Sequence, residues 1–195
     1  EAAMPGQLTF EADRPNFDYV YDAEELKELR GKKFHGKRNH LNFFLANYTY
    51  EYSGLTEENA DEVMGFIRAF NERKDLPPES HEWELLDMEM QAMEDVVRNL
   101  RQVDYLTGAI RIDGKLEALS IGGFLGKKCV TVHVEKANIE YRGLYQAINN
   151  EFVKHMPDHI KLINREEDMG IPGLRKAKLS YNPVKMIEKY IVKIK

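Results

Sequence analysis

Cysteine is almost missing from this chain: Cys129 stands alone among 195 residues. No internal disulfide can form, and the fold has no use for an oxidising compartment. Long apolar runs are missing too. No stretch approaches the roughly 20 apolar residues of a membrane span, and the start, Glu1 to Phe10, has no basic region followed by an apolar core. Neither a transmembrane segment nor a secretory leader is read, and a cytoplasmic location is expected. Metal-ligand spacing is lacking among the six histidines: His155 and His159 stand at i, i+4, but Pro157 lies between them and breaks the helix that would align them. No internal repeat or low-complexity tract is found.

What is present points to a packed domain. Hydrophobic residues make up 43% of the chain, with ten Tyr and nine Phe supplying the large apolar side chains that disordered segments lack. The length fits one domain or two small ones. The net charge of -5 conceals a segregation. Fourteen acids face three bases, Arg68, Arg73 and Lys74, between Glu51 and Asp95. Six Lys or Arg face only Glu28 between Lys27 and Asn42, and seven face only Glu188 from Gly173 to Lys195. Solvated helix faces would explain this. The alternative is that the two basic segments converge on an anionic, phosphate-bearing ligand.

Residues 1–18 carry Pro5, Gly6 and Pro15 and little periodicity, and are read as a linker or leading strand, with the domain proper spanning 19–195. A short helix is expected over Ala23 to Arg30 behind Asp22. In the next one, Leu41, Phe44, Leu45 and Tyr48 form an apolar stripe opposite Lys37, Asn39 and Asn42. A strand from Tyr48 to Tyr52 precedes a Thr56-capped helix through Val63, Phe66, Ile67 and Phe70, which Pro77 and Pro78 end. Ser80 caps a long helix with Leu86, Met90, Met93, Val97 and Leu100 as its stripe. Met64, Met88, Met90 and Met93 read as core filler. Strand-like runs follow at Tyr105 to Ile112, Leu116 to Phe124 and Cys129 to Glu135, the first two joined by a tight Asp113-Gly114 turn. In the third, Val130, Val132 and Val134 alternate with Thr131, His133 and Glu135. A helix over Arg142 to His155, a strand at Ile160 to Ile163, a helix near Leu174 to Ser180 and a strand from Val184 complete the order.

This order predicts an α+β fold, a central mixed, mostly antiparallel sheet flanked by helices, with the strand ending at Glu135 near its middle. It is the layout of the GNAT acyltransferase superfamily. Two long stretches go further: VHVEKANIEYRGLYQAINNEF, from Val132 to Phe152, and INREEDMGIPGLRKAKLSYNP, from Ile163 to Pro183. With GKKFHGKRNHLNFF, from Gly31 to Phe44, they resemble the family built around the C-terminal domain of phosphatidylglycerol lysyltransferases. The resemblance implies an acyltransferase moving an aminoacyl group from an aminoacyl-tRNA-like donor to an amine or hydroxyl. It also implies tRNA as a partner and a preceding acyltransferase-like half, this chain being the C-terminal half of a longer protein. Acyl-CoA is the alternative donor, and a non-catalytic domain binding an anionic ligand or a partner domain is the alternative function.

Individual residues carry the chemistry. Tyr141, Arg142 and Gly143, with Asn138 just before them, open a helix whose free N–H groups suit a donor phosphate, unless Gly143 serves only to let that helix pack closely against the strand. Acetyl-coenzyme A users of the superfamily show Arg-Gly-x-Gly there. Tyr145 replaces the second glycine, which argues against that donor unless its ring turns into the core. Glu135 is the first choice for taking the acceptor's proton, its plainer role being an ion pair with Lys136 or Arg142; His133 reads as a satisfied strand histidine. In Asn164-Arg165-Glu166-Glu167-Asp168 three acids concentrate at a strand end, which suits binding an amino group, a capping and hydration role for Glu167 at least being the plainer reading; Asn164 is a substrate-binding candidate, and Glu166 and Asp168 join Glu135 as catalytic candidates. Arg175, Lys178 and Tyr181, with Lys37, Arg38 and Asn39, are the phosphate-binding candidates, surface decoration being the plainer reading. No cofactor or metal is assigned.

Overall fold

Asp113 and Gly114 set the frame. Both take positive φ, 51° and 77°, as a two-residue type I′ turn requires, and they fold β4 (Tyr105–Ile112) against β5 (Lys115–Leu125) as an antiparallel hairpin. β6 (Cys129–Ala137) pairs antiparallel with the other edge of β5. The computed structural model describes residues 6–73, 77 and 80–195, so Pro5, Lys74 and Pro78 lie outside the described residues. Around the hairpin stand β2 (Asp18–Asp22), β3 (Glu51–Ser53), β7 (Leu162–Asn164) and β8 (Lys185–Ile187), giving a seven-stranded sheet ordered β3-β4-β5-β6-β7-β2-β8. Only β6 and β7 run parallel, and β6 is central, as expected. β1 (Leu8–Ala12) and β9 (Tyr190–Ile194) form a separate two-stranded ribbon, so residues 1–18 include a leading strand.

Helices cover both faces because β5 is buried along nearly its whole length, which commits its alternate side chains to two cores. Ile110, Ala118, Val130 and Val132 pack with α1 (Ala23–Glu28), α2 (His35–Asn47) and α5 (Leu144–Lys154) around Tyr21, Phe44 and Phe152. Ala109, Leu119, Ile121 and Val134 pack with α3 (Ala60–Glu72) and α4 (His81–Arg98) through Val63, Met64, Ile67, Met93 and Val97. Local chemistry sets the helix starts. The Asp22 carboxylate accepts from the Glu25 N–H at 2.9 Å, Ser80 Oγ from the Trp83 N–H at 3.2 Å, and Pro172 occupies the first turn of α6 (Pro172–Leu179), where its missing N–H costs nothing.

Three expectations are corrected. Val134 does not share a face with Val130 and Val132. Gly122 pairs with Val132 and Ile121 with Val134, leaving His133 as the extra residue of a β-bulge, so Val134 crosses to the α3/α4 core. Met88 is 64% exposed and is no core filler, unlike Met64, Met90 and Met93. Tyr48 is the C-cap of α2, its N–H bonded to the Phe44 carbonyl, and the strand begins only at Glu51.

Candidate functional site

β6 and β7 pair only over Cys129–Thr131 and Leu162–Asn164, then part. Beyond Asn164 the chain turns through Glu166 at a φ of 54°, a left-handed conformation uncommon outside glycine. Two side-chain bridges span the opening. Arg165 Nη2 donates to Glu135 Oε1 at 2.7 Å, and His133 Nδ1 meets Glu166 Oε1 at 2.8 Å. Glu135 Oε2 also accepts from Asn149 Nδ2 on α5 at 3.0 Å.

Above the opening lies a cavity of about 440 Å³ whose lining includes Lys37 from α2, Tyr145 and Gln146 from α5, Lys178 from α6, and Tyr181. The Arg165 guanidinium is held between Tyr21 and Tyr181, with Cζ 5.7 and 4.8 Å from their ring centroids. Its Nη1 is buried without a hydrogen-bond partner among the described residues. Lys37 Nζ sits 4.0 Å from the Tyr181 centroid, and Lys178 Nζ donates to the Arg165 carbonyl. Burial, then the neighbouring Arg165 charge, lowers both lysines to about 8. Burial raises Tyr181 to about 12 against the Arg165 charge. Arg165 itself stays cationic: desolvation opposes its charge, and Glu135 with Tyr21 and Tyr181 more than restores it. The cavity therefore combines three cations, two carboxylates and an aromatic wall, a lining able to hold an anionic group beside a proton-accepting one.

Of the residues singled out in the sequence, Lys37, His133, Glu135, Glu166, Lys178 and Tyr181 come together here. Tyr145 lines the cavity while its ring packs against the core.

The others stand elsewhere. Asp168 is 0% exposed and accepts from Arg175 Nε and Nη2 at 2.8 and 2.9 Å, Arg14 Nη1 at 3.1 Å, the Tyr19 hydroxyl at 2.5 Å and the Gly170 N–H at 2.9 Å. The bonds from Arg175 come first in holding its carboxyl far below the usual range, against the effect of burial. A carboxylate so enclosed is a structural anchor for α6, not a base in the cavity, and it engages Arg175. Arg38 caps α1, donating to the carbonyls of Leu29 and, at 2.7 Å, Gly31. Asn39 bonds His35 at 3.1 Å on the exposed face of α2. Arg142 lies over Phe43 with Cζ 4.3 Å from the ring centroid, and Tyr141 meets Tyr48 edge-on at 5.2 Å. Asn164 Nδ2 donates to Asp18 Oδ2 at 3.0 Å. Asn138 donates to buried Glu117 and accepts from Arg73, both at 2.8 Å, beside a smaller cavity of about 210 Å³ next to α3.

Gly143 has φ 90°, and a Cβ on it would stand 2.2 Å from the His40 carbonyl oxygen. The glycine thus serves close packing, against α2 rather than a strand. Arg165 was missed altogether. The signal that could have found it is its position, a lone base between a strand end and three consecutive acids.

Sheet order, central β6 and the β6/β7 opening define a GNAT-like fold. A tandem GNAT protein of the clavulanic acid biosynthesis pathway shares it at a TM-score of 0.50 and 13% identity over 98% of this chain and 55% of that one. The chain belongs to the family described as phosphatidylglycerol lysyltransferase, C-terminal, whose model matches residues 2–193. It is similar to a conserved protein of unknown function from Bacteroides thetaiotaomicron, with a TM-score of 0.92 and 36% identity, covering 100% of this chain and 65% of that one. The L-PGS of Bacillus licheniformis superposes with a TM-score of 0.66 at 14% identity over 96% of this chain and 62% of that one. An uncharacterised protein of Mycoplasmoides gallisepticum is 27% identical over 187 residues, 91% of this chain and 56% of that protein. The chain thus spans a little over half to about two thirds of these relatives. No helix among the described residues is long and apolar enough to cross a membrane.

Proposed function

We propose that the cavity between β6 and β7 transfers an acyl group, foremost an aminoacyl group from an aminoacyl-tRNA-like ester, to an amine or hydroxyl acceptor. The observation that carries this reading is the convergence of Lys37, Arg165 and Lys178 around Tyr181. Cations beside an aromatic ring suit a donor that presents a phosphate and a base together. Tyr145 fits a donor with one phosphate nearby better than the pyrophosphate of acyl-CoA, which remains the less favoured donor. The family, and relatives longer than this chain, support a preceding half as partner, and a lipid headgroup hydroxyl as one acceptor.

A specific observation favours a second reading, a domain that binds an anionic ligand without turnover: both oxygens of Glu135 are already engaged by Arg165 and Asn149. The test uses tRNA charged with radiolabelled lysine, offered with phosphatidylglycerol vesicles as a hydroxyl acceptor or a lysine-containing peptide as an amine acceptor. Transfer of label to either, with donor affinity reduced at least about tenfold by Arg165→Gln, supports the transferase. Binding of the charged tRNA with no transfer supports the second reading. Calorimetry with acetyl-coenzyme A is expected to show no binding.

A further inference from the structure

We propose that His133, oriented by Glu166, is the proton acceptor of the transfer; this rests on the transferase reading above. His133 is the unpaired residue of the β6 bulge, and bulges re-aim side chains beside active sites. Its ring is fixed from one side only. Nδ1 meets Glu166 Oε1 at 2.8 Å, which selects the tautomer with the proton on Nδ1 and leaves Nε2 as a bare acceptor.

The chain takes an unfavourable conformation to deliver that carboxylate. Glu166 sits at a φ of 54°, secured by its N–H to Asn164 Oδ1 at 2.8 Å and its carbonyl to the Tyr19 N–H at 3.1 Å. Such a residue persists only where its surroundings over-determine it. On the other side Nε2 faces Gly123, whose absent Cβ would stand 3.2 Å from Nε2 and 2.6 Å from Tyr105 Cε1. Glycine there makes room for the Tyr105 ring, which meets the imidazole edge-on at 5.7 Å, and the His133 side chain keeps 41% of its surface exposed.

His133 also borders two spaces at once, the main cavity and a shallower cleft of about 260 Å³ with Asp104, Tyr105 and Thr131. It therefore stands where a nucleophile entering by the cleft meets an acyl carbon held in the cavity. Glu135, engaged by Arg165 and Asn149, is freed from the role of base and becomes a positioning residue for Arg165. In the step, the acceptor's oxygen or nitrogen bonds to the acyl carbon as its proton passes to Nε2. When the tetrahedral intermediate collapses, the bond from acyl carbon to donor oxygen breaks, and that oxygen takes the proton back from the imidazolium.

Two measurements decide the matter. With 15N-labelled histidine, long-range proton–nitrogen correlation of the neutral ring is expected to show the Nδ1-protonated tautomer in the wild type and a mixture in Glu166→Gln. In the charged-tRNA assay, His133→Gln is expected to lower turnover about 100-fold while charged-tRNA affinity stays within about twofold. Should His133→Gln fail to fold, Glu166→Gln carries both readouts. An Nε2-protonated ring in the wild type, or wild-type turnover in His133→Gln, overturns the proposal and leaves the transferase standing. A wild-type protein that moves no label sinks the transferase reading and this role with it.

Discussion

Asp168 and Glu135 each face an arginine across the end of the sheet, and the two pairs are built differently. Asp168 takes hydrogen bonds from two arginines, a phenol and a backbone N–H with none of its surface exposed. Glu135 takes one bond from Arg165 and one from Asn149, and its arginine keeps a buried N–H without a partner. A carboxylate whose partners are all satisfied by one another contributes to stability. A pair whose two members also line a cavity leaves room for a third party.

The comparison can be broken by substitution. Asp168→Asn removes the charge that Arg14, Arg175 and Tyr19 share, and the folded state should lose on the order of 2–4 kcal/mol in urea unfolding. The same residue should govern the acid limb. Its folded carboxyl titrates far below the unfolded value of about 4, so its stabilisation is complete above that value and is lost as pH falls toward the folded one. Below pH of about 4 the wild type should therefore lose stability more steeply than Asp168→Asn. If the two slopes coincide, Asp168 is not the anchor described.

Glu135→Gln should be milder, roughly 1–2 kcal/mol, because a Gln oxygen still accepts from Arg165 or Asn149. A loss equal to that of Asp168→Asn would erase the distinction between anchor and site. The smallest effect is expected at Lys37 and Lys178, which sharpen the comparison from the other side. Their folded pKa values near 8 lie below the ordinary lysine value, so between about 8 and 10.5 the unfolded chain binds more protons, and stability should rise with pH across that window. Lys37→Met with Lys178→Met should flatten the rise and slightly stabilise the protein near pH 7. A rise unchanged in the double variant would mean that neither lysine is desolvated in the cavity.

Local signals in the sequence account for much of the fold. The Asp113-Gly114 turn, the caps at Asp22 and Ser80, and the runs of Tyr105 to Ile112 and Leu116 to Phe124 need only their neighbours, and the structure places them as read. The bulge at His133 was not legible, because strict alternation along β6 says nothing of which residue its neighbour on β5 skips. The site was half legible for a related reason. Glu135, Glu166, Lys37, Lys178 and Tyr181 were recognised by type and position, whereas the burial of Asp168 depends on Arg14, 154 residues away. The capping by Arg38 likewise depends on where α1 ends. Composition shows which charges exist, and only packing shows which of them are already neutralised.

The β1/β9 ribbon joins Thr9 to Lys193 across a sequence separation of 184 residues, while every residue of β9 stays exposed. Closing so long a loop is entropically the hardest pairing in the chain, and it is compensated by little apolar burial. Assembly is therefore expected to run outward from the Asp113-Gly114 hairpin, whose partners are adjacent in sequence, to β6 and then β7. The two ends of the described chain are expected to zip together last and to part first.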